Sequence, residues 1–269
     1  MIRKNFVKGV CFLTFPELSK YSFINHAFST KIGGVSSDEF SSMNLSFGRG
    51  DSDENVIENY YKICDACEFD YNSLVASHQV HGTNVVSVSE KDCGKGIYKS
   101  KFADGVDGLI TNKKGVTLVT YFADCVPLYF VDIKKKVIAL SHAGWRGTVN
   151  LIGAKTVKKM SEDYGSNISD IICAIGPAIG SCCFEVNEDV KKEFEKLNLD
   201  DNLIIKNFNN GKYTIDLWTA NKQILLNCGI SEENIITADM CTACNKDILF
   251  SHRATNGKRG GMAAFLCLK

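Results

Sequence analysis

The sequence of 269 residues is poor in proline and histidine and carries no excess charge. With 3 prolines there is no proline-rich linker, and no repeat or low-complexity tract interrupts the chain. These absences predict one continuous domain over residues 1–269, long enough to bury a large core. Thirty-one basic residues balance 31 acidic ones to a formal net charge of +0. That leaves no electrostatic footprint for nucleic acid or an anionic membrane. No apolar run approaches the roughly 20 residues of a membrane-spanning helix. The N-terminal stretch MIRKNFVKGVCFLTFPEL is broken by Lys8 and followed by Pro16. It reads as a first strand rather than a signal peptide, and the expected location is cytoplasmic.

Cysteine, by contrast, is plentiful, with 12 in the chain. Disulfide-dense scaffolds are much smaller and secreted, so the expectation is free thiols, mostly buried. Two C-x-x-C pairs stand apart, Cys64–Cys67 and Cys241–Cys244. They are too distant in sequence for a zinc ribbon, although each could serve a closed zinc site or a redox pair.

Hydrophobic periodicity predicts strands at Ser22–Ser29, Leu74–Ala76, Val85–Val88, Gly108–Thr111 and Val116–Phe122. Further strands are expected at Leu128–Asp132, Val137–Ser141, Asp170–Ile175, Ile235–Ile236 and Met262–Leu268, with an exposed turn at Lys134–Lys136. Helices are expected at Asp51–Cys67, Val149–Tyr164, Asn187–Leu197 and Asp216–Cys228. Many strands follow one another without a crossover helix. That favours an α+β fold, a layered mixed-sheet arrangement, over a doubly wound parallel sheet.

Three segments carry chemistry. In Ser77-His-Gln-Val-His-Gly-Thr83, His78 and His81 are three apart, so on a strand they face opposite ways, and His81 sits at a glycine turn. In Tyr121-Phe-Ala-Asp-Cys-Val-Pro-Leu128, an apolar strand runs into Asp124-Cys125 and is expected to break at Pro127. In Ile138-Ala-Leu-Ser-His-Ala-Gly-Trp-Arg-Gly-Thr148, a strand ends at His142 and a glycine loop with Arg146 leads into a helix, an anion-binding arrangement. A hairpin places Cys125 and His142 side by side, and His81 completes the set. Three protein ligands and an open position form the catalytic zinc pattern, and thiolate with imidazole suits zinc or copper. The same residues would also serve a metal-free Cys–His hydrolase, with Cys125 as nucleophile and His142 as base. Ser251-His-Arg253 and Gly257-Lys-Arg-Gly260 are basic segments able to hold phosphate or ribose.

Taken together these segments resemble the laccase-domain proteins, also called the multicopper polyphenol oxidase or purine nucleoside phosphorylase family. The similarity also runs through His26-Ala-Phe-Ser-Thr-Lys-Ile-Gly-Gly-Val-Ser36, Met43-Asn-Leu-Ser46, Ala103-Asp-Gly105, Ile175-Gly-Pro-Ala-Ile-Gly180, Cys182-Cys-Phe-Glu-Val186 and Cys241-Thr-Ala-Cys244. It implies a single α/β sandwich of packed mixed sheets with outer helices. It implies zinc on His81, Cys125 and His142, phosphorolysis of adenosine, inosine and S-methyl-5'-thioadenosine, and deamination of adenosine. The expected partners are a purine nucleoside and phosphate, with no nucleic acid and no membrane, in a monomer or homodimer. Asp124, Cys125 and Arg146 are the candidate catalytic residues, Asp124 as proton donor to, or hydrogen-bond partner of, the departing base. Lys31, Asn44, Arg146, Arg253 and Arg259 are the candidate substrate- and phosphate-binding residues. One departure is Lys31, where the family has arginine, which keeps the charge but loses the bidentate fork. The zinc-deaminase signature H-x-E with P-C-x-x-C is missing, so deamination would need another arrangement. The alternative is copper-dependent oxidation of phenols, although five histidines are too few for a multicopper cluster.

Overall fold

Alternation along two central strands decides the architecture. In β8 (Val126–Asp132) and β9 (Val137–Ala143) every residue is buried. Tyr129, Val131, Ile138 and Leu140 point into one apolar cluster, while Leu128, Phe130, Val137 and Ala139 point into another. Side chains on a strand alternate between faces, so this sheet is covered on both sides. A computed structural model describes residues 2–207 and 211–269 and shows what covers it.

One six-stranded sheet has the order β1 (Arg3–Val7), β2 (Val10–Thr14), β3 (Ile24–Ser29), β15 (Met262–Leu268), β7 (Thr117–Phe122), β4 (Leu74–Ala76). The other six-stranded sheet runs β14 (Ile235–Thr237), β10 (Ile171–Ile175), β8, β9, β6 (Gly108–Thr111), β5 (Val85–Ser87). A small third sheet holds β11 (Glu185–Val186), β13 (Tyr213–Ile215) and β12 (Ile205–Asn207). Both large sheets are mixed: β4 with β7, β5 with β6 and β10 with β14 are parallel, the other pairs antiparallel. The two large sheets pack face to face, with Phe28, Leu118 and Leu266 of the first against Tyr129, Ile138 and Leu140 of the second.

Helices cover the outer faces. α2 (Asp53–Cys67) lays Val56, Tyr60 and Ile63 against Phe12, Val119 and Phe265. Its start is set by the Ser52 side chain, which accepts the Asn55 N–H, and by Asp53 and Glu54 in the first turn. On the far side, α4 (Ile152–Tyr164) and α7 (Leu217–Asn227) bury Ile152, Val157, Met160, Leu217 and Leu225 against Phe130 and Ala139. The fold is the α+β layered sandwich of packed mixed sheets with outer helices that the sequence predicts.

Several local expectations need correction. The N-terminal stretch is a hairpin, β1–β2, because Lys8 and Gly9 both take positive φ and turn the chain. The helix expected from Val149 is two pieces, α3 (Trp145–Val149) and α4, separated where Leu151 adopts a left-handed conformation. Pro127 does not break its strand. It is the second residue of β8, and its carbonyl accepts the Gly176 N–H. The other α-helices among the described residues are α1 (Pro16–Ser19), α5 (Glu188–Glu195, within the expected Asn187–Leu197) and α6 (Asp201–Ile204). His26 is buried and its Nε2 accepts the Phe15 N–H, so burial keeps the ring neutral, pulling it down to about 4. No helix among the described residues is long and apolar enough to cross a membrane.

Tyr129 links the two sheets by a polar contact as well as by packing: its fully buried hydroxyl donates to the Ala27 carbonyl at 3.0 Å. Tyr129→Phe should lower stability by about 1 kcal/mol, the net worth of one buried hydrogen bond. Urea unfolding should show a lower midpoint with an unchanged slope.

Candidate metal centre

At one end of the sandwich the chain passes twice from the first sheet to the second, and the candidate ligands sit there. The segment from β4 in the first sheet to β5 in the second carries His81. The turn from β7 in the first sheet to β8 in the second carries Cys125. His142 is the penultimate residue of β9 and lies opposite Pro127. One ligand atom from each of His81, Cys125 and His142 lies within 4.8 Å of the others, and the His81 Nε2–Cys125 Sγ distance is 3.9 Å. Gly144 closes against this group: a Cβ there would stand 2.9 Å from the His81 ring and 3.1 Å from Cys125 Sγ. Only glycine allows the backbone that close.

Asp107 holds the arrangement. One Oδ1 accepts from the His142 ring Nδ1 at 2.8 Å and from the His81 backbone N–H at 3.0 Å. Oδ2 accepts the backbone N–H groups of Val80 and Gly82, at 3.1 and 2.9 Å. The bond at Nδ1 leaves Nε2 of His142 as its free ligand atom, the usual carboxylate–histidine–metal pattern. It also supports His81 at φ +62°, a left-handed conformation that costs free energy outside glycine. Burial alone would raise the Asp107 carboxyl; the His142 ring and the loop N–H groups outweigh it and hold the carboxyl low. Gln79 adds a second clasp, its side-chain amide pairing with both the N–H and the carbonyl of Tyr121 on β7.

Without metal, Cys125 and His142 form a charged pair. Burial pushes the Cys125 thiol up, but His142 and then His81 outweigh it and bring it down to about 6. Burial pushes His142 down, but Cys125 and Asp107 raise it to about 9. A thiolate beside two imidazoles is a borderline-soft donor set that fits a zinc or copper ion better than magnesium or calcium.

The trio opens onto a cavity of about 630 Å³. Its lining includes Phe47, Tyr121 and Phe184 as aromatic walls and Arg49, Lys101, Arg253 and Arg259 as cations. Of the residues expected from sequence, Asp124, Arg253 and Arg259 join the trio there. Asp124, at φ +87°, already uses both carboxylate oxygens: Oδ1 accepts the Thr242 hydroxyl at 2.6 Å and Oδ2 the Arg253 N–H at 2.7 Å. Arg259 has a buried Nε with no partner among the described residues, and burial, then Arg49, pulls its guanidinium down to about 10. Lys31 lines a neighbouring cavity of about 380 Å³ that shares Arg259. Asn44 is buried; its side chain reaches Asp51 and the backbone N–H groups of Ser46 and Gly261 and lines neither cavity. Arg146 is exposed, its guanidinium 4.2 Å over the Trp145 ring, and does not line the cavity beside the trio. Sequence reasoning missed Asp107, Arg49 and Lys101. A lone carboxylate before a short strand carries no motif, although a buried Asp beside an apolar run is itself a signal.

A family model described as "Multi-copper polyphenol oxidoreductase laccase" matches residues 25–269. The chain belongs to this family. It is 38% identical over 243 residues, 90% of this chain and 87% of the relative, to a protein of Bacillus subtilis named purine nucleoside phosphorylase YlmD. Among solved structures it is similar to YfiH of Bacillus licheniformis, with a TM-score of 0.93, 33% identity and 99% of each chain covered. It is similar also to YlmD of Geobacillus stearothermophilus, with a TM-score of 0.91, 33% identity and 98% of each chain covered.

Two outcomes follow from the site. Asp107→Asn should weaken metal binding by about 10- to 100-fold, as loss of an outer-sphere carboxylate does, when measured by competition with a chelator. In metal-free protein, alkylation of Cys125 should accelerate as pH rises through about 6, because the thiolate is the reacting form and its fraction grows there. A midpoint near the ordinary thiol value would contradict the pairing with His142.

Proposed function

We propose that this chain is a zinc-dependent purine nucleoside enzyme, one catalytic domain over residues 1–269. In this reading it cleaves adenosine, inosine and S-methyl-5'-thioadenosine with phosphate and also deaminates adenosine. It acts in the cytoplasm on small molecules, as a monomer or homodimer. The observation that carries it is one cavity combining the His81–Cys125–His142 trio with aromatic walls and an arginine, Arg259, whose buried Nε has no partner among the described residues. The volume of about 630 Å³ falls in the range of small-molecule sites. The names of the relatives point to the same substrate class.

In phosphorolysis a phosphate oxygen bonds to ribose C1', the bond from C1' to the purine nitrogen breaks, and the purine leaves with that electron pair and gains a proton. Arg259, Arg253 and Arg49 hold the phosphate; the buried Nε of Arg259, without a partner among the described residues, is the strongest pointer to an anion. Phe47, Tyr121 and Phe184 supply flat apolar surface for the base. Zinc on the trio, when bound, supplies a Lewis acid to polarise a substrate heteroatom or water. Asp124 acts here as a positioning residue, because both its oxygens are occupied in holding Thr242 and Arg253. In this reading the cavity arginines take the phosphate-binding role expected for Arg146, and Lys31 lines the adjoining cavity that Arg259 also borders.

A second reading, a Cys–His hydrolase, is favoured by the Cys125 thiol, brought down to about 6 beside His142. A third, copper-dependent phenol oxidation, is favoured by the family description. The trio supplies donors for one ion, and of the remaining histidines His26 and His78 are committed to the Phe15 N–H and the Phe102 carbonyl.

Incubation of metal-loaded protein with adenosine and phosphate should give adenine and ribose 1-phosphate, with inosine as a deamination product. Arg259→Ala should raise the KM for phosphate about tenfold, the equivalent of about 1.4 kcal/mol, with a smaller change in kcat. No purine base, inosine or ribose phosphate, with or without phosphate added, would end this reading.

A further inference from the structure

Four of the cysteines meet outside the trio. β10 and β14 run parallel, so the loops that follow them leave the same end of the second sheet. The loop after β10 carries Cys182 and Cys183; the loop after β14 carries Cys241 and Cys244. All four sulfurs lie within 4.8 Å of one another. Cys244 Sγ is 3.5 Å from both Cys182 Sγ and Cys183 Sγ. Adjacent cysteines rarely aim at one point, but here a turn closed by the Cys183 and Phe184 N–H groups on the Gly180 carbonyl brings both sulfurs to the same side. A tetrahedron of sulfurs each about 2.3 Å from a central zinc has edges of about 3.8 Å, which matches these separations. The Gly180 N–H donates to Cys241 Sγ at 3.2 Å, an outer contact that stabilises thiolate.

We propose that Cys182, Cys183, Cys241 and Cys244 form a second metal site, closed and structural, for a thiophilic ion of the zinc class. Four protein thiolates leave no open position, which separates it from the three-ligand trio. Its place in the fold gives it a task. The two loops it joins also hold Asp124: the Ile179 N–H donates to the Asp124 carbonyl at 2.8 Å and the Thr242 hydroxyl to its carboxylate. Arg253 in turn donates to the Cys183 carbonyl at 3.0 Å. The metal therefore pins the wall that carries Asp124 and Arg253, one residue from the Cys125 ligand. This site is independent of which reaction the cavity catalyses.

The test is metal content of protein purified under reducing, anaerobic conditions. Wild type should bind two zinc ions per chain. His81→Ala/His142→Ala keeps all four cysteines and should retain one. Loading that variant with cobalt(II) should give one equivalent per chain with intense thiolate-to-cobalt charge-transfer absorption, displaced by zinc. Adding Cys182→Ser/Cys244→Ser should abolish both the absorption and the bound ion. Should the quadruple variant fail to fold, the cobalt spectrum and stoichiometry of the double variant decide alone. A double variant that binds no thiolate-ligated metal overturns the proposal. So does a mass showing a disulfide between these loops in protein kept reduced, which would make the cluster a redox pair.

Discussion

The buried carboxylate of Asp107 is the constraint on which the trio depends. It gathers three successive backbone N–H groups of the His81 loop and the Nδ1 of His142 onto two oxygens. An unpaired buried carboxylate is costly, so the fold must supply these donors, and supplying them fixes the segments of His81 and His142 at once. The left-handed backbone at His81 is one consequence. The direction of the free Nε2 on His142 is another.

The layered architecture explains why His81, Cys125 and His142 converge. Chain passes between the large sheets at β4–β5 and β7–β8, and both crossings lie at the end of the sandwich where β9 finishes. Strands buried on both faces leave no room for the backbone there to shift, so the positions of His81 and Cys125 are set by the packing of whole sheets. The helices on the outer faces take no direct part; they cover apolar surface that the sheets would otherwise expose.

Charge is neutral over the chain but uneven around the cavity. Arg49, Lys101, Arg253 and Arg259 face it, with the Cys125 thiolate and Asp124 as the nearby anions. Arg259 is partly buried beside Arg49, an unfavourable placement that an anionic ligand would relieve. Asp124 connects this cationic wall to the turn of Cys125 through the Arg253 N–H, so the arginine-bearing side and the His–Cys–His side of the cavity share one residue.

Period-two apolar patterns and turn signals placed most strands and the helices α2, α4 and α7, because those elements bury their own local stripe. The trio was legible because His81, Cys125 and His142 end apolar strands beside glycine, proline or aspartate, where a core side chain is a poor fit. The sequence by itself thus determined the layered α+β class and the grouping of one thiol with two imidazoles at His81, Cys125 and His142. Only the tertiary structure brought Asp107, Arg49 and Lys101 to the site, showed that Arg146 and Asn44 do not line the cavity beside the trio, and joined Cys182–Cys183 to Cys241–Cys244. The reason is physical: hydrogen bonds and sulfur contacts between loops from different strands depend on sheet order and register, and no local periodicity encodes those.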